Sequence, residues 1–202
     1  MGFIFGIGNL ESRYQNSGHR HSDCLSVLLY INDKEIFTDG GTFSYFSNIK
    51  LRNHFKSSSM HSTVTYNGDE HALFGTRFEI LKDYPVSSEL INFSDKNDEV
   101  VIEAKIPSYI KRYQVEVFRK IVLKNNDIII EDLVNGKQKH NLHSKYIIGS
   151  DVDISINENS INLDTVILTN INKDNFLIND ILISDRYGSL KKAKQLLIEG
   201  KN

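Results

Sequence analysis

Histidine and aspartate side chains with a spacing suited to chemistry cluster in the first third of the chain. His19, His21 and Asp23 alternate along the sequence, immediately before an apolar run at residues 25–31. Side chains two positions apart on an extended chain point to the same side, so we expect these three to project together. Imidazole and carboxylate groups that share one side can transfer protons or hold a metal ion.

Two further donors stand at the ends of the next apolar runs. Asp39 follows the run at residues 34–38 and is itself followed by two glycines, whereas His61 precedes a run at residues 62–66. If these runs are neighbouring strands, His21, Asp39 and His61 meet at one point. Two imidazoles and one carboxylate, with a fourth position left for water or another group, suit zinc. The spacing alone leaves plainer interpretations open, namely an exposed His-x-His pair, a glycine turn and a surface histidine.

The elements that must position these residues read as strands. Residues 25–31 and 34–38 form a hairpin across Asn32-Asp33, and residues 62–66 end at Asn67-Gly68, a strong hairpin signal that makes residues 72–81 the expected partner. A first strand is expected within residues 1–10. Further strand candidates separated by Asn, Asp and Gly turns are residues 89–93, 99–105, 114–123, 128–134, 145–148, 152–156, 162–169 and 176–184. Many short strands of this kind predict an all-β fold, a multi-stranded antiparallel β-sandwich.

Near the end of the chain, the apolar residues are spaced as in a helix rather than as in a strand. Leu190, Ala193, Leu196 and Leu197 share one face of a helix, Ser189 is a suitable N-cap, and Gly200 is a suitable stop. We therefore expect one short C-terminal helix at residues 189–198.

Length and composition exclude several classes of protein. A chain of 202 residues predicts one domain over residues 1–202. The 24 basic and 26 acidic side chains give a formal charge of -2, so no net basic field attracts nucleic acid. One cysteine, Cys24, excludes an internal disulfide framework and a cysteine-rich zinc module. No apolar run approaches the ~18 residues of a membrane span.

A longer pattern of motifs gives the donor residues a context. The chain reads Gly-His-Arg-His-Ser-Asp at 18–23, Asp-Gly-Gly-Thr at 39–42 with Tyr45 close by, Arg-Asn-His-Phe-Lys at 52–56 and His-Ser-Thr-Val at 61–64. In this order, the blocks resemble the C-terminal β-sandwich of the heparinase II/III-like polysaccharide lyases. Two positions depart from that family's pattern, since Lys56 stands for arginine and Ser62 for asparagine. The matched blocks cover residues 18–68.

The resemblance implies a role for each donor. His19 matches the catalytic histidine of a β-elimination, in which a uronic acid loses its C5 proton and the C4 oxygen departs. The resemblance implies that His19 is either the general base or a group that steadies the uronate carboxylate. His21, Asp39 and His61 match the ligands of a zinc ion that organises the strands beneath the cleft. Asp23 either orients one of the histidines or caps the start of a strand.

Two residues from the matched blocks are candidates for binding the substrate. Arg52 could neutralise an acidic sugar, and Tyr45 could stack on a sugar ring or hydrogen-bond to it. The plainer interpretations are a solvated arginine and a tyrosine packed beside its strand.

The resemblance also implies partners. In that family an N-terminal (α/α) toroid packs against the β-sandwich, and an acidic polysaccharide lies between the two. The chain offers no helical region for such a toroid, so we expect the isolated chain to be inactive. The resemblance alone implies a periplasmic or extracellular location. Three functions stay open: the β-sandwich portion of a polysaccharide lyase, a non-catalytic zinc-stabilised β-sandwich that binds carbohydrate or protein, and a zinc hydrolase, which the lack of a glutamate base near the ligands disfavours.

Overall fold

The computed structural model describes residues 2–6, 20–46, 48–75, 88–136, 141–158, 160–169, 171–172 and 174–201. The strands are β1 (Gly2–Gly6), β2 (Ser26–Ile31), β3 (Lys34–Thr38), β4 (Val64–Tyr66), β5 (Glu89–Lys96), β6 (Glu99–Ile106), β7 (Glu116–Lys124), β8 (Asp127–Asn135), β9 (Asn141–Ile148), β10 (Ile154–Ile156), β11 (Ser160–Leu163), β12 (Val166–Thr169), β13 (Asn175–Ile183) and β14 (Lys191–Lys201). The helices are α1 (Ile49–Lys56) and α2 (Ile110–Tyr113), with 3-10 turns at Ser58–Met60 and Pro107–Tyr109.

In the described part of the chain, the strands form three sheets in which each strand pairing is antiparallel. The largest sheet has the order β1-β2-β3-β9-β14-β13, with β4 also paired to β9. β5 to β8 form a four-stranded meander, and β10 to β12 form a three-stranded sheet. The predicted all-β antiparallel sandwich is therefore confirmed.

Asparagine and aspartate turns join several of these strands, as the sequence predicts. Asn32 and Asp33 adopt φ of 50° and 60° between β2 and β3, and Asn125 has a φ of 55° between β7 and β8. Asparagine and aspartate tolerate this left-handed conformation better than other non-glycine residues.

The core lies between the four-stranded sheet and the seven-stranded sheet. Buried and less buried residues alternate along most of β7, so that Val117 and Ile121 point inward. Val117 joins a buried cluster with Val64 of β4, whereas Ile121 joins one with Tyr146 of β9. The opposite face of the large sheet is covered by α1 and the turn that follows it. The alternation thus decides which face of each strand is buried.

A buried ion pair joins the adjacent strands β7 and β8 and makes further hydrogen bonds across the core. The guanidinium of Arg119, fully buried on β7, donates from Nε and Nη2 to the two carboxylate oxygens of Asp132, both at 2.7 Å. Its Nη1 donates to the backbone oxygens of Leu25 at 2.8 Å and Ser62 at 3.3 Å. Ser144 of β9 also donates to Asp132. Arg119 therefore ties the four-stranded sheet to the residues that lead into β2 and β4.

The predicted C-terminal helix is wrong, because residues 191–201 form the strand β14. β14 is a central strand that pairs with β13 along one edge and with β9 along the other. The two faces of the strand bury different residues: Leu196 enters the core between the sheets, and Ala193 packs on the opposite side. Hydrogen bonds to two neighbours and burial of both faces outweigh a helical propensity worth tenths of a kcal/mol per residue.

A short helix does occur, but at α1. Its N-cap is Asn48, whose side chain accepts a hydrogen bond from the N–H of Leu51. One face of α1 buries Arg52 and Phe55, and Phe55 belongs to the cluster that covers the large sheet.

Two strand predictions also need correction. The hairpin partner of β4 is not residues 72–81: β4 pairs with β9, Ala72 lies outside the strands, and residues 76–81 are outside the described part of the chain. The stretch 162–169 is not one strand, because a turn at Asp164, with a φ of 54°, separates β11 from β12. A turn signal such as Asn67-Gly68 specifies a reversal of the chain, but it does not specify the strand that pairs with the one before it.

Candidate functional site

The site forms where segments of the large sheet meet along one edge of β9. β3 pairs with the last residues of β9, and β4 pairs with residues nearer the start of β9. β14 occupies the other edge of β9. β3 and β4 therefore share one edge, where the end of β3 lies next to the start of β4. Asp39 directly follows β3, and His61 precedes β4. The start of β2 joins them, since Val27 donates its N–H to the backbone oxygen of Ser62 at 3.0 Å.

Asp39 and His61 form a hydrogen-bonded pair. The Nδ1 atom of His61 lies 2.6 Å from Oδ2 of Asp39, and the N–H of Gly41 donates to Oδ1 at 2.8 Å. Burial alone would lower the pKa of His61, but the Asp39 carboxylate raises it above its ordinary value. Burial would raise the pKa of Asp39, but the attraction and hydrogen bond of His61 lower it. Both shifts favour the charged form of each partner.

His21, which precedes β2 in the chain, is the third member of the cluster. Its ring lies 5.1 Å from that of His61, and its Nε2 lies 3.4 Å from Nη1 of Arg52. Burial, together with the charges of His61 and Arg52, lowers the pKa of His21 to about 3. His21 is therefore a neutral imidazole at neutral pH, the form that binds metal ions.

Asp23 lies close enough to His61 and Asp39 for their charges to affect its pKa. Burial raises its pKa, while the nearby His61 acts against that rise and Asp39 adds to it. The backbone oxygen of Asp23 accepts from Ser26 N–H at 3.1 Å, at the point where β2 begins. The hydrogen bond to Ser26 fits the interpretation that Asp23 caps the start of a strand. The charge interaction with His61 fits the alternative, that Asp23 orients a histidine.

The cluster fits zinc in donor type and in one detail of its hydrogen bonding. The second ring nitrogen of His61, Nε2, is buried and has no hydrogen-bond partner. As the side chains stand, no three His, Cys, Asp or Glu groups among the described residues are placed to hold a metal ion together. His19 lies outside the described residues. Zinc ligation by His21, Asp39 and His61 and catalysis by His19 therefore stay predictions.

The two glycines after Asp39 are required by close backbone contacts. A Cβ on Gly40 would lie 2.5 Å from the backbone oxygen of Met60. A Cβ on Gly41, whose φ is +72°, would lie 2.0 Å from the backbone oxygen of Ser184. These contacts, rather than a free turn, hold the Asp39 segment against its neighbours.

Two basic side chains of α1 adjoin the cluster. Arg52 is 1% exposed, and its guanidinium carbon lies 4.9 Å from the ring centre of Tyr45. The two predicted substrate-binding residues are thus brought together beside His21, with Arg52 packed rather than solvated. Lys56 is fully buried, its Nζ has no hydrogen-bond partner and lies 4.2 Å from the ring centre of Phe74. Burial lowers the pKa of Lys56 to about 8.

Tyr187 is a residue of this region that the sequence analysis did not single out. It lies between β13 and β14, and its ring stacks on Tyr45 with the ring centres 6.0 Å apart. No sequence signal could reveal this contact, because the two residues are separated by 142 positions.

Comparison with known proteins shows the family to which the chain belongs. Residues 2–202 match the family described as Heparinase II/III-like, C-terminal. The chain belongs to this heparinase II/III-like family. The resemblance seen in residues 18–68 is thereby confirmed and extends over nearly the whole chain.

Solved structures agree on the fold. The heparan sulfate lyase HepC from Pedobacter heparinus is 18% identical with a TM-score of 0.71, over 91% of this chain and 28% of that one. The heparinase III BT4657 gene product is 18% identical with a TM-score of 0.73, over 91% of this chain and 28% of that one. A further heparinase III is 14% identical with a TM-score of 0.65, over 93% of this chain and 29% of that one. This heparinase II/III-like chain thus spans less than a third of each of these proteins.

A search of curated proteins and an inspection of the described helices for membrane spans both gave negative results. Among curated proteins, none matches this chain. In the described part of the chain, no helix has the length and apolar character needed to cross a membrane.

Proposed function

We propose that this chain is the β-sandwich portion of a polysaccharide lyase that cleaves an acidic, uronate-containing polysaccharide by β-elimination. The observation that carries the proposal is that Asp39 and His21 both lie close to His61 in a chain of this family. The activity belongs to the protein together with an N-terminal (α/α) toroid domain, which would form the other wall of the cleft.

The chemistry requires a base and a positive charge. A base removes the C5 proton of the uronate, and the electrons of the C5–H bond form the C4=C5 double bond. The C4–O bond breaks, and the leaving oxygen keeps that electron pair and takes up a proton from a general acid. His19 is the proposed base. It precedes His21 by two residues in the sequence, within the Gly-His-Arg-His-Ser-Asp block that resembles the family's motif. Arg52, beside His21, supplies positive charge that would counter the uronate carboxylate.

The proposed zinc ion would be held by His21, Asp39 and His61, with Asp23 beside them. When bound, zinc would cross-link the three segments and fix the wall of the cleft. The unpartnered Nε2 of His61 and the neutral His21 support this donor set. Zinc binding by His61 would release the proton that the hydrogen bond to Asp39 favours on its ring.

The metal content of the purified chain tests the site directly. Wild-type protein loaded with zinc and then dialysed should retain about one zinc per chain, because three side chains from separate segments hold it. His61→Ala should lose most of it. His143→Ala, a change of the same kind on β9, should retain it. Folded wild-type protein without zinc, or equal retention by His61→Ala, would refute the metal site.

Turnover tests the reaction. The chain, and the longest natural protein that contains it, are incubated with uronate polymers, and unsaturated chain ends are measured by their ultraviolet absorbance. We expect product from the longer protein, none from its His19→Ala variant, and none from the isolated chain. Glycan binding by the longer protein without any unsaturated product would instead favour the alternative, a non-catalytic zinc-stabilised β-sandwich that binds carbohydrate or protein.

A further inference from the structure

An exposed tyrosine stands at the rim of the candidate site. Tyr187, in the connection between β13 and β14, is 60% exposed. Its ring stacks on Tyr45 at an interplanar angle of 29°. Its hydroxyl oxygen accepts from the N–H of Tyr45 at 3.2 Å and lies 3.1 Å from the hydroxyl of Ser44. An aromatic ring left this accessible and yet held at both its face and its hydroxyl is suited to binding.

The connection that carries Tyr187 is fastened to the segment after Asp39. Ser184 donates its N–H to the backbone oxygen of Gly40 at 2.8 Å, and Gly188 donates to that of Phe43 at 2.7 Å. The side chain of Ser184 also donates to the backbone oxygen of Arg186 at 2.9 Å. Backbone contacts on both sides of Tyr187 therefore fix its position relative to the site.

A continuous row of side chains leads from this ring to the cluster. Tyr187 stacks on Tyr45, the guanidinium of Arg52 lies over the ring of Tyr45, and Arg52 contacts His21. The outer end of the row is exposed and aromatic, and the inner end is buried and basic. A ligand that matches both ends has a flat apolar face and a negative charge.

We propose that Tyr187, supported by Tyr45, is an aromatic platform that binds one sugar ring of an anionic glycan at the rim of the candidate site. The C–H face of a pyranose packs on an aromatic face, and its hydroxyl groups stay in water. Arg52, buried against Tyr45, favours an anionic ligand through its positive charge rather than by direct contact. This inference rests on the proposed function, because it names a contact for the substrate class proposed above.

Glycan binding by matched tyrosine variants of the full chain tests the platform. The probe is a size-defined uronate-containing hexasaccharide, with a neutral hexasaccharide for comparison, and the Kd is measured by calorimetry. Tyr187→Ala should weaken binding at least about fivefold, whereas Tyr187→Phe, which keeps the ring, should weaken it less. The control is Tyr30→Ala on β2, where the tyrosine hydroxyl bonds to Glu35 away from the site. It should leave the Kd unchanged.

The outcomes separate the two proposals. Unchanged binding by Tyr187→Ala, or equal loss in Tyr30→Ala, overturns the platform and leaves the lyase proposal standing if unsaturated product is formed. Wild-type protein that binds neither hexasaccharide overturns the platform, and it counts against the lyase proposal only if the longer protein also forms no product. Thermal unfolding of each variant shows whether a loss of binding reflects a loss of folding.

Discussion

Removal of the Arg119 guanidinium is the change whose cost follows most directly from the structure. Arg119→Met keeps an unbranched side chain of similar length in the core but deletes the donors to Asp132, Leu25 and Ser62. The Asp132 carboxylate, 8% exposed, then retains the hydroxyl of Ser144 but no positive partner. The oxygen of Ser62 keeps its bond from Val27.

The expected cost is about 3–5 kcal/mol of unfolding free energy, the usual penalty for leaving one charge of a buried ion pair alone. The range of about 3–5 kcal/mol already includes the loss of the hydrogen bond from Arg119 to the backbone oxygen of Leu25. Leu25 is a non-glycine residue with a φ of 57°. Domains of this size are stable by about 5–15 kcal/mol, so the loss is a large fraction of the total. With an m-value of about 2 kcal/mol/M in urea, the midpoint should fall by about 2 M.

Equilibrium unfolding in urea, followed by circular dichroism, measures this loss. The control is Ile121→Val, a change on the same face of β7 that should cost only about 0.5–1.5 kcal/mol. The double variant Arg119→Met with Asp132→Leu should cost less than Arg119→Met alone, because it leaves no unpaired charge. A cost below about 1 kcal/mol for Arg119→Met, or a double variant equal to the sum of its parts, would refute the reasoning.

Three further changes test other parts of the structure. Lys56→Met should raise stability by about 1–3 kcal/mol at pH 7, because it removes a buried ammonium without a hydrogen bond. Since the pKa of Lys56 is about 8 in the fold and 10.5 as its ordinary value, the unfolded wild type binds more protons between these pH values. As the pH rises from about 8 to 10.5, the urea midpoint of the wild type should therefore rise relative to that of Lys56→Met. A difference between the two midpoints that stays constant with pH would contradict the lowered pKa of Lys56. Gly41→Ala should cost several kcal/mol, more than Gly188→Ala where a Cβ meets nothing within 4 Å, and equal thermal midpoints would disprove the contact with Ser184. A peptide of residues 189–201 should show no strand signal by circular dichroism in dilute solution, and strand formation by the peptide alone would show that β14 needs no neighbours.

The sequence was sufficient for those features that depend on neighbours along the chain. The apolar residues of the stretch 128–134 and the asparagine turn before it predict a strand that follows a turn, and the structure has β8 there, paired with β7. The order of the histidine and aspartate blocks around residues 18–64 identified the family before the fold was known. Such signals are local in the chain, because side-chain period and turn preference are properties of a few consecutive residues.

Only the tertiary structure decided the features that depend on distant partners. The apolar residues of β14 satisfy a helical period, but burial between β9 and β13 makes the segment a strand. The partner of β4 is likewise β9 and not the segment after its turn. The contact of Tyr187 with Tyr45 and the bonds of Arg119 to Leu25 join residues that no local pattern relates. Pairing and packing free energies accrue over many contacts between separate segments, and they exceed the tenths of a kcal/mol by which local preferences differ.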